Sequence, residues 1–168
     1  MTKYLREKLM IQEYSYPYAA KINPSLYSLV ETSEDDRGKH STVHAKMTRM
    51  NLKSPEVDRL VEWVLSLIKR DFRVTPCEAK GVWGVMYNNG DYIGEHNHQS
   101  TSTYSFVYYV NTPKGSSPLV FSTSRYKVKP IPGKLVLFES RLYHYIPPNK
   151  CNQRCIISGN FLNHAHTI

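Results

Sequence analysis

The chain has 168 residues, enough for one folded domain and short for two, and its 40% hydrophobic and 12% aromatic content is that of a globule rather than a disordered tail. No apolar run approaches the roughly 20 residues that span a bilayer, and the start Met1-Thr2-Lys3-Tyr4-Leu5-Arg6 leads into no signal-peptide core, so a cytoplasmic protein without membrane insertion is expected. A net charge of +8 would suit an acidic partner, but the lysines and arginines are scattered with no long block of like charge, which argues against nucleic acid.

The whole of 1–168 reads as a single domain in three parts. Residues 1–52 are mixed in character, polar over Glu31-Thr32-Ser33-Glu34-Asp35-Asp36-Arg37-Gly38, and are expected to form an N-terminal strand or two with a mobile loop around 31–42. The span 54–71 is a helix. Ser54 can accept from a free N–H of the first turn, Pro55 sits where no hydrogen bond is lost, and Glu56 meets the positive end of the dipole. Val57, Leu60, Val61, Val64, Leu65 and Ile68 then recur at helical spacing and form one apolar stripe. From Gly81 the period changes. Strands are expected at 81–87, 92–98, 103–111, 118–123, 126–129, 134–139, 143–147 and 153–162. They are separated by turn-forming Asn88-Asn89-Gly90, Pro113-Lys114-Gly115-Ser116, Pro130-Ile131-Pro132-Gly133 and Pro147-Pro148-Asn149. Short strands at that rhythm point to a sandwich or a jelly roll, so the chain is mainly β.

The cysteines, Cys77, Cys151 and Cys155, form no disulfide framework and read as free thiols; the Cys151-x3-Cys155 spacing alone is weak evidence for a metal. The histidines fall into groups. His40 and His44 lack the helical periodicity of a zinc helix, and His164 and His166 lie in a terminal segment where fraying is the default. His96, His98 and His144 differ because core strands frame them: apolar Tyr104 to Val110 follows the pair, and Lys134-Leu135-Val136-Leu137-Phe138 precedes the third. Strand alternation turns His96 and His98 to one side and Glu95 and Asn97 to the other. Three imidazoles so placed could close on one metal ion, with iron, zinc, copper and nickel all open. Arg154 adds a planar, permanently charged fork suited to a carboxylate.

The run Tyr87-Asn88-Asn89-Gly90-Asp91-Tyr92-Ile93-Gly94-Glu95-His96-Asn97-His98, then Ser105 to Val110, Pro132 to Ser140, His144 and Arg154 ten residues on, resembles the 2-oxoglutarate and Fe(II)-dependent dioxygenases. The likeness is to the prolyl-4-hydroxylase-like branch and its small bacterial and phage members, and it covers about residues 80–162. It implies a double-stranded β-helix, a jelly-roll relative, with the catalytic core at 80–162 and one N-terminal packing helix. It implies Fe(II), 2-oxoglutarate as cosubstrate and O2, with ascorbate as an optional addition, and hydroxylation of a C–H bond on a peptidyl proline, another protein side chain or a small molecule.

By the same resemblance His96 and His144 match the iron histidines, and Tyr87 and Arg154 match the pair holding the distal carboxylate of 2-oxoglutarate; Ser158, on the face of Arg154, could add a hydroxyl. His98 stands where the family has aspartate, which removes one negative charge from the ligand set. Three other readings stay open: a three-histidine cupin-type metalloenzyme without 2-oxoglutarate, a non-enzymatic β-sandwich binding module, and a nucleic-acid oxidative demethylase.

Overall fold

The structure is a computed structural model that describes residues 10–37, 42–74 and 77–164. In chain order it runs through strand β1 (Ile11–Ser15), helix α1 (Ala19–Thr32), strands β2 (Val43–His44) and β3 (Lys46–Met47), and helix α2 (Pro55–Leu67) with a π-helical turn at Ile68–Phe72. Eight strands follow: β4 (Cys77–Tyr87), β5 (Tyr92–His96), β6 (Tyr104–Asn111), β7 (Leu119–Phe121), β8 (Tyr126–Val128), β9 (Lys134–Glu139), β10 (His144–Ile146) and β11 (Arg154–Asn163). They build two antiparallel sheets, one ordered β1-β9-β6-β11-β4-β3 and one ordered β2-β5-β10-β7-β8. The expected jelly roll, mainly β, is therefore present.

Strand alternation divides the large sheet into two faces, and each has its own core. Trp83, Val85 and Tyr87 of β4, Val107 and Tyr109 of β6, Val136 and Phe138 of β9 and Ile156 of β11 turn inward against Ile93, Leu119, Phe121, Val128 and Ile146 of the small sheet. Their neighbours in sequence, Val82, Met86, Phe106, Tyr108, Leu135, Leu137, Cys155 and Ile157, turn outward and are covered by the helices. A face buried on both sides explains why β6 and β9 read as continuous apolar runs rather than alternating ones.

Helix α2 starts as its sequence dictates: the Ser54 side chain accepts from the Val57 N–H at 3.2 Å, with Pro55 in the first turn. Its buried residues are Val57, Leu60, Val64 and Leu67, with Ile68 following in the π-helical turn. Val61 and Leu65, expected in the stripe, lie at its half-buried margin.

The first 52 residues depart from the expected strands and loop. Ala19–Thr32 is a helix, packed on the outer face beside α2 through Ile22, Leu26 and Val30. Those positions recur four apart, which is a helical signal, but Pro24 falls between them and masks it, because proline inside a helix ordinarily breaks it. Pro24, the sixth residue of the helix, removes the bond its N–H would give to the Ala20 carbonyl, and the burial of Ile22, Leu26 and Val30 outweighs that loss. The mobile loop expected at 31–42 is in part the end of this helix, and residues 38–41 lie outside the described residues.

Gly84 explains how α1 sits so close. A Cβ at that position would overlap the Val30 side chain, whose Cγ1 would lie 3.0 Å away. Glycine on the outer face of β4 thus admits the helix backbone to the sheet. At the β4–β5 turn Gly90 takes φ of 88°, a left-handed conformation open to glycine at no steric cost.

Candidate metal centre

His96 closes β5 and His144 opens β10, and the two residues face each other across the sheet. Between them the register slips: His144 opposes His96 while Ile146 opposes Ile93, so Tyr145 meets both Gly94 and Glu95. This β-bulge adds one residue to β5 and re-aims its end. Ile93 and His96, three apart, consequently both turn to the interior, while Glu95 is exposed. Simple alternation over 92–98 is therefore corrected, since the strand ends at His96 and His98 lies beyond it. Its backbone N–H donates to the Ser140 carbonyl at 2.8 Å, and its ring meets the edge of Trp83 at 6.2 Å between centroids.

The three rings still converge. Centroids lie 4.4 Å apart for His96 and His144, 4.8 Å for His96 and His98, and 5.4 Å for His98 and His144. One nitrogen from each lies within 4.8 Å of the others, which is a spacing for one metal ion. Phe138 and Phe121 pack on the His144 ring at 4.9 and 6.3 Å. Burial depresses all three imidazoles: His96 below its ordinary value, His98 to about 4 and His144 to about 3. The rings are therefore neutral at pH 7, the form that binds metals.

Two of the rings have a fixed tautomer. His96 Nδ1 lies 2.8 Å from the Gly94 carbonyl oxygen and His144 Nδ1 lies 2.8 Å from that of Leu142. A carbonyl only accepts, so each Nδ1 carries the hydrogen and each Nε2 keeps a free lone pair. Such a bond orients a ligating histidine and raises its basicity.

The histidines line a cavity of about 180 Å³ together with Trp83, Val107, Ile156, Ser158 and Asn160 of the large sheet and Val43, Leu119, Tyr145 and Ile146 of the small one. That volume holds on the order of ten water-sized groups. Along its wall Ser105 donates to Asn160 Oδ1 at 2.8 Å and pairs with the Ser140 hydroxyl at 2.8 Å.

Arg154 begins β11 opposite Tyr87 of β4, one inward position along the strand from Ile156 of the cavity wall. It is fully buried, at 0% exposure. None of its three guanidinium nitrogens forms a well-directed hydrogen bond among the described residues, nor do the hydroxyls of Tyr87 and Tyr109, although the guanidinium and the two phenols lie close enough to interact. The guanidinium carbon sits over the Tyr87 ring at 4.3 Å and the Tyr109 ring at 5.7 Å. Cation–π contacts of this kind contribute on the order of 1–2 kcal/mol, against a cost of several kcal/mol for a buried, permanently charged group. An anion bound there would offset that cost. Burial pushes both phenols up to about 12 despite the neighbouring cation, so they stay protonated donors. Tyr109 escaped sequence reading because it sits in the apolar run Tyr104 to Val110; the recoverable signal was its inward parity in the strand beside β11.

The remaining candidates separate from this centre. His44 stacks on exposed Tyr92 at 4.2 Å, His164 is exposed beside Glu78 at 2.7 Å, and His40 and His166 lie outside the described residues. All three cysteines are free; Cys155 faces the helix side and is buried. Among the described residues no helix is long and apolar enough to cross a membrane.

No protein-family model and no curated protein matches the sequence. Solved structures do match. The 2-oxoglutarate complex of a viral collagen prolyl hydroxylase from Paramecium bursaria Chlorella virus-1 superposes with a TM-score of 0.71 at 14% identity, over 90% of this chain and 94% of that one. A Pseudomonas putida prolyl-4-hydroxylase gives 0.70 at 16%, over 92% of each chain. HygX of Streptomyces hygroscopicus, with nickel, 2-oxoglutarate and hygromycin B bound, gives 0.70 at 9%, over 92% of this chain and 82% of that one. At such identities the likeness establishes the fold: this chain has the jelly roll that these proteins share.

Proposed function

We propose that the chain is an Fe(II)- and 2-oxoglutarate-dependent dioxygenase that hydroxylates a C–H bond. The observation that carries this reading is the buried Arg154, a permanent cation with no anionic partner among the described residues, on the same inward face as the wall of a three-histidine cavity. A metal-binding cluster and an unpartnered guanidinium on one inward face would suit a ligand with an anion at the end away from the metal, which is what a linear keto-diacid offers.

The residues present fit both groups. His96 and His144 would hold the metal through Nε2, with His98 as the third donor, and three neutral imidazoles suit a divalent transition metal. Arg154 would take the distal carboxylate in bidentate fashion, joined by the phenols of Tyr87 and Tyr109, while Ser158 offers a hydroxyl on the cavity wall. When bound, iron with 2-oxoglutarate supplies the oxidising power, coupling decarboxylation of the keto acid to attack on an unactivated C–H bond. The protein's own work is to bind and to exclude water. Arg154 and the two phenols orient the diacid, the carbonyls of Gly94 and Leu142 hold two imidazoles in the ligating tautomer, and Phe121, Phe138, Ile156 and Trp83 keep the centre dry.

The unpartnered arginine favours this reading over a three-histidine centre that uses no 2-oxoglutarate, which would leave Arg154, Tyr87 and Tyr109 without a shared ligand. The substrate we infer is a peptidyl proline or another protein side chain. The cavity supports an uncharged reacting group, because among its described lining residues there is no Asp, Glu, Lys or Arg.

Purified protein given Fe(II) and 2-oxoglutarate in air should form succinate slowly without added substrate. Arg154→Ala should raise the 2-oxoglutarate requirement roughly 30-fold or more, as expected when one partner of a buried charge pair is removed. Metal affinity should be unchanged, and a parallel loss of metal binding would show that Arg154 does not act through the diacid.

A further inference from the structure

The three histidines are not held alike. His96 and His144 each donate Nδ1–H to the carbonyl two residues earlier, Gly94 and Leu142, both at 2.8 Å. No such bond forms at His98: neither ring nitrogen has a hydrogen-bond partner among the described residues. The backbone differs as well. His96 and His144 sit inside paired strands opposite each other, whereas His98 follows the end of β5 in a turn, where its N–H donates to the Ser140 carbonyl and its own carbonyl accepts from the Thr101 and Ser102 N–H groups. Its ring touches the Trp83 edge at 6.2 Å and stands farther from its partners than they stand from one another.

Resting on the reading of this cluster as a metal centre, we infer that His96 and His144 form a fixed clamp while His98 is a displaceable ligand, free to change tautomer and to leave the ion. A fixed Nδ1–H commits a ring to ligation through Nε2, and its loss typically costs 10–100-fold in metal affinity. His98 lacks that commitment: ring contacts with Trp83, His96 and His144 position it, but no hydrogen bond among the described residues selects its tautomer. An ion there would be held chiefly by His96 and His144, and His98 would be the donor that yields its place to water or to an oxygen of an incoming ligand. An aspartate there would bring a formal charge and cling to the cation; a neutral imidazole without an outer partner lets go.

Two measurements on the full chain test this. The first is a long-range proton–nitrogen NMR spectrum of metal-free, 15N-labelled protein near pH 8, with each ring assigned by substitution. His96 and His144 should show a single tautomer with hydrogen on Nδ1, and His98 should show averaged nitrogen shifts. The second is affinity for Co(II) alone, followed by its visible absorption. His96→Ala and His144→Ala should each weaken Co(II) by 100-fold or more, and His98→Ala by less than about 10-fold. His98→Gln serves as a second variant if alanine disturbs folding. A single fixed tautomer at His98, or an affinity loss there equal to the other two, overturns the inference. Failure of the wild-type protein to bind Co(II) at all overturns the metal centre itself and the inference with it, a result distinguishable from binding with three equal contributions.

Discussion

At position 98 a neutral imidazole stands where the dioxygenase motif that this run resembles carries a carboxylate, and in the proposed ligand set the difference is one unit of charge. His98→Asp should therefore retain or raise iron-supported 2-oxoglutarate turnover and tighten Fe(II), because a formal negative charge in a water-poor cavity attracts a dication more strongly than a dipole does. Succinate yield per enzyme and Fe(II) affinity, measured on both proteins, check this; complete loss of turnover would mean that the imidazole does something a carboxylate cannot. The residues of this centre were unequally legible. His96, His144 and Arg154 stood out from their spacing and from the likeness of the whole run. Tyr109 was hidden in an apolar strand, and the bulge that re-aims His96 left no mark that strand alternation could read, since a bulge is a property of two strands in register and not of one.

At the scale of elements the clearest dependence is the seating of α1 on β4. Gly84→Ala places a methyl group against Val30 and should destabilise the fold by about 1–3 kcal/mol through overpacking. Adding Val30→Ala should return part of that loss, so the two changes will not sum. Urea midpoints of the two single variants and the double variant decide it. Leu26, at 0% exposure in the same helix, should cost about 2–5 kcal/mol when cut to alanine. The strands from 81 onward were readable because turn residues punctuate them and both sheet faces are apolar. Helix α2 was readable because serine, proline and an acid stand in order at its start. Helix α1 was not, because Pro24 interrupts a stripe only three buried residues deep and Tyr18, which precedes it, makes no side-chain cap.

For the molecule as a whole, stability should couple to acid and to ligand. Burial holds His98 near 4 and His144 near 3, below the ordinary imidazole value of 6.5. Between those values the unfolded chain takes up protons that the folded chain refuses. Stability of the metal-free protein is thus fully present above about pH 6.5 and falls as pH drops from there toward 4. Denaturant midpoints at pH 7 and pH 5 after chelation should show the fall. A midpoint that holds or rises would contradict the neutral, buried cluster. The net charge of +8 comes from lysines and arginines scattered along the chain with no long block of like charge, so nucleic acid should bind weakly if at all and only at low salt.

One shared diacid bridging the histidine cavity and Arg154 should be visible in an anaerobic titration of the full chain with Fe(II) and then 2-oxoglutarate. A weak visible charge-transfer band should grow with 2-oxoglutarate, saturate at one equivalent per chain, and shift to much higher concentration in Arg154→Ala. No band in the wild-type protein, together with no succinate once air is admitted, would contradict the account.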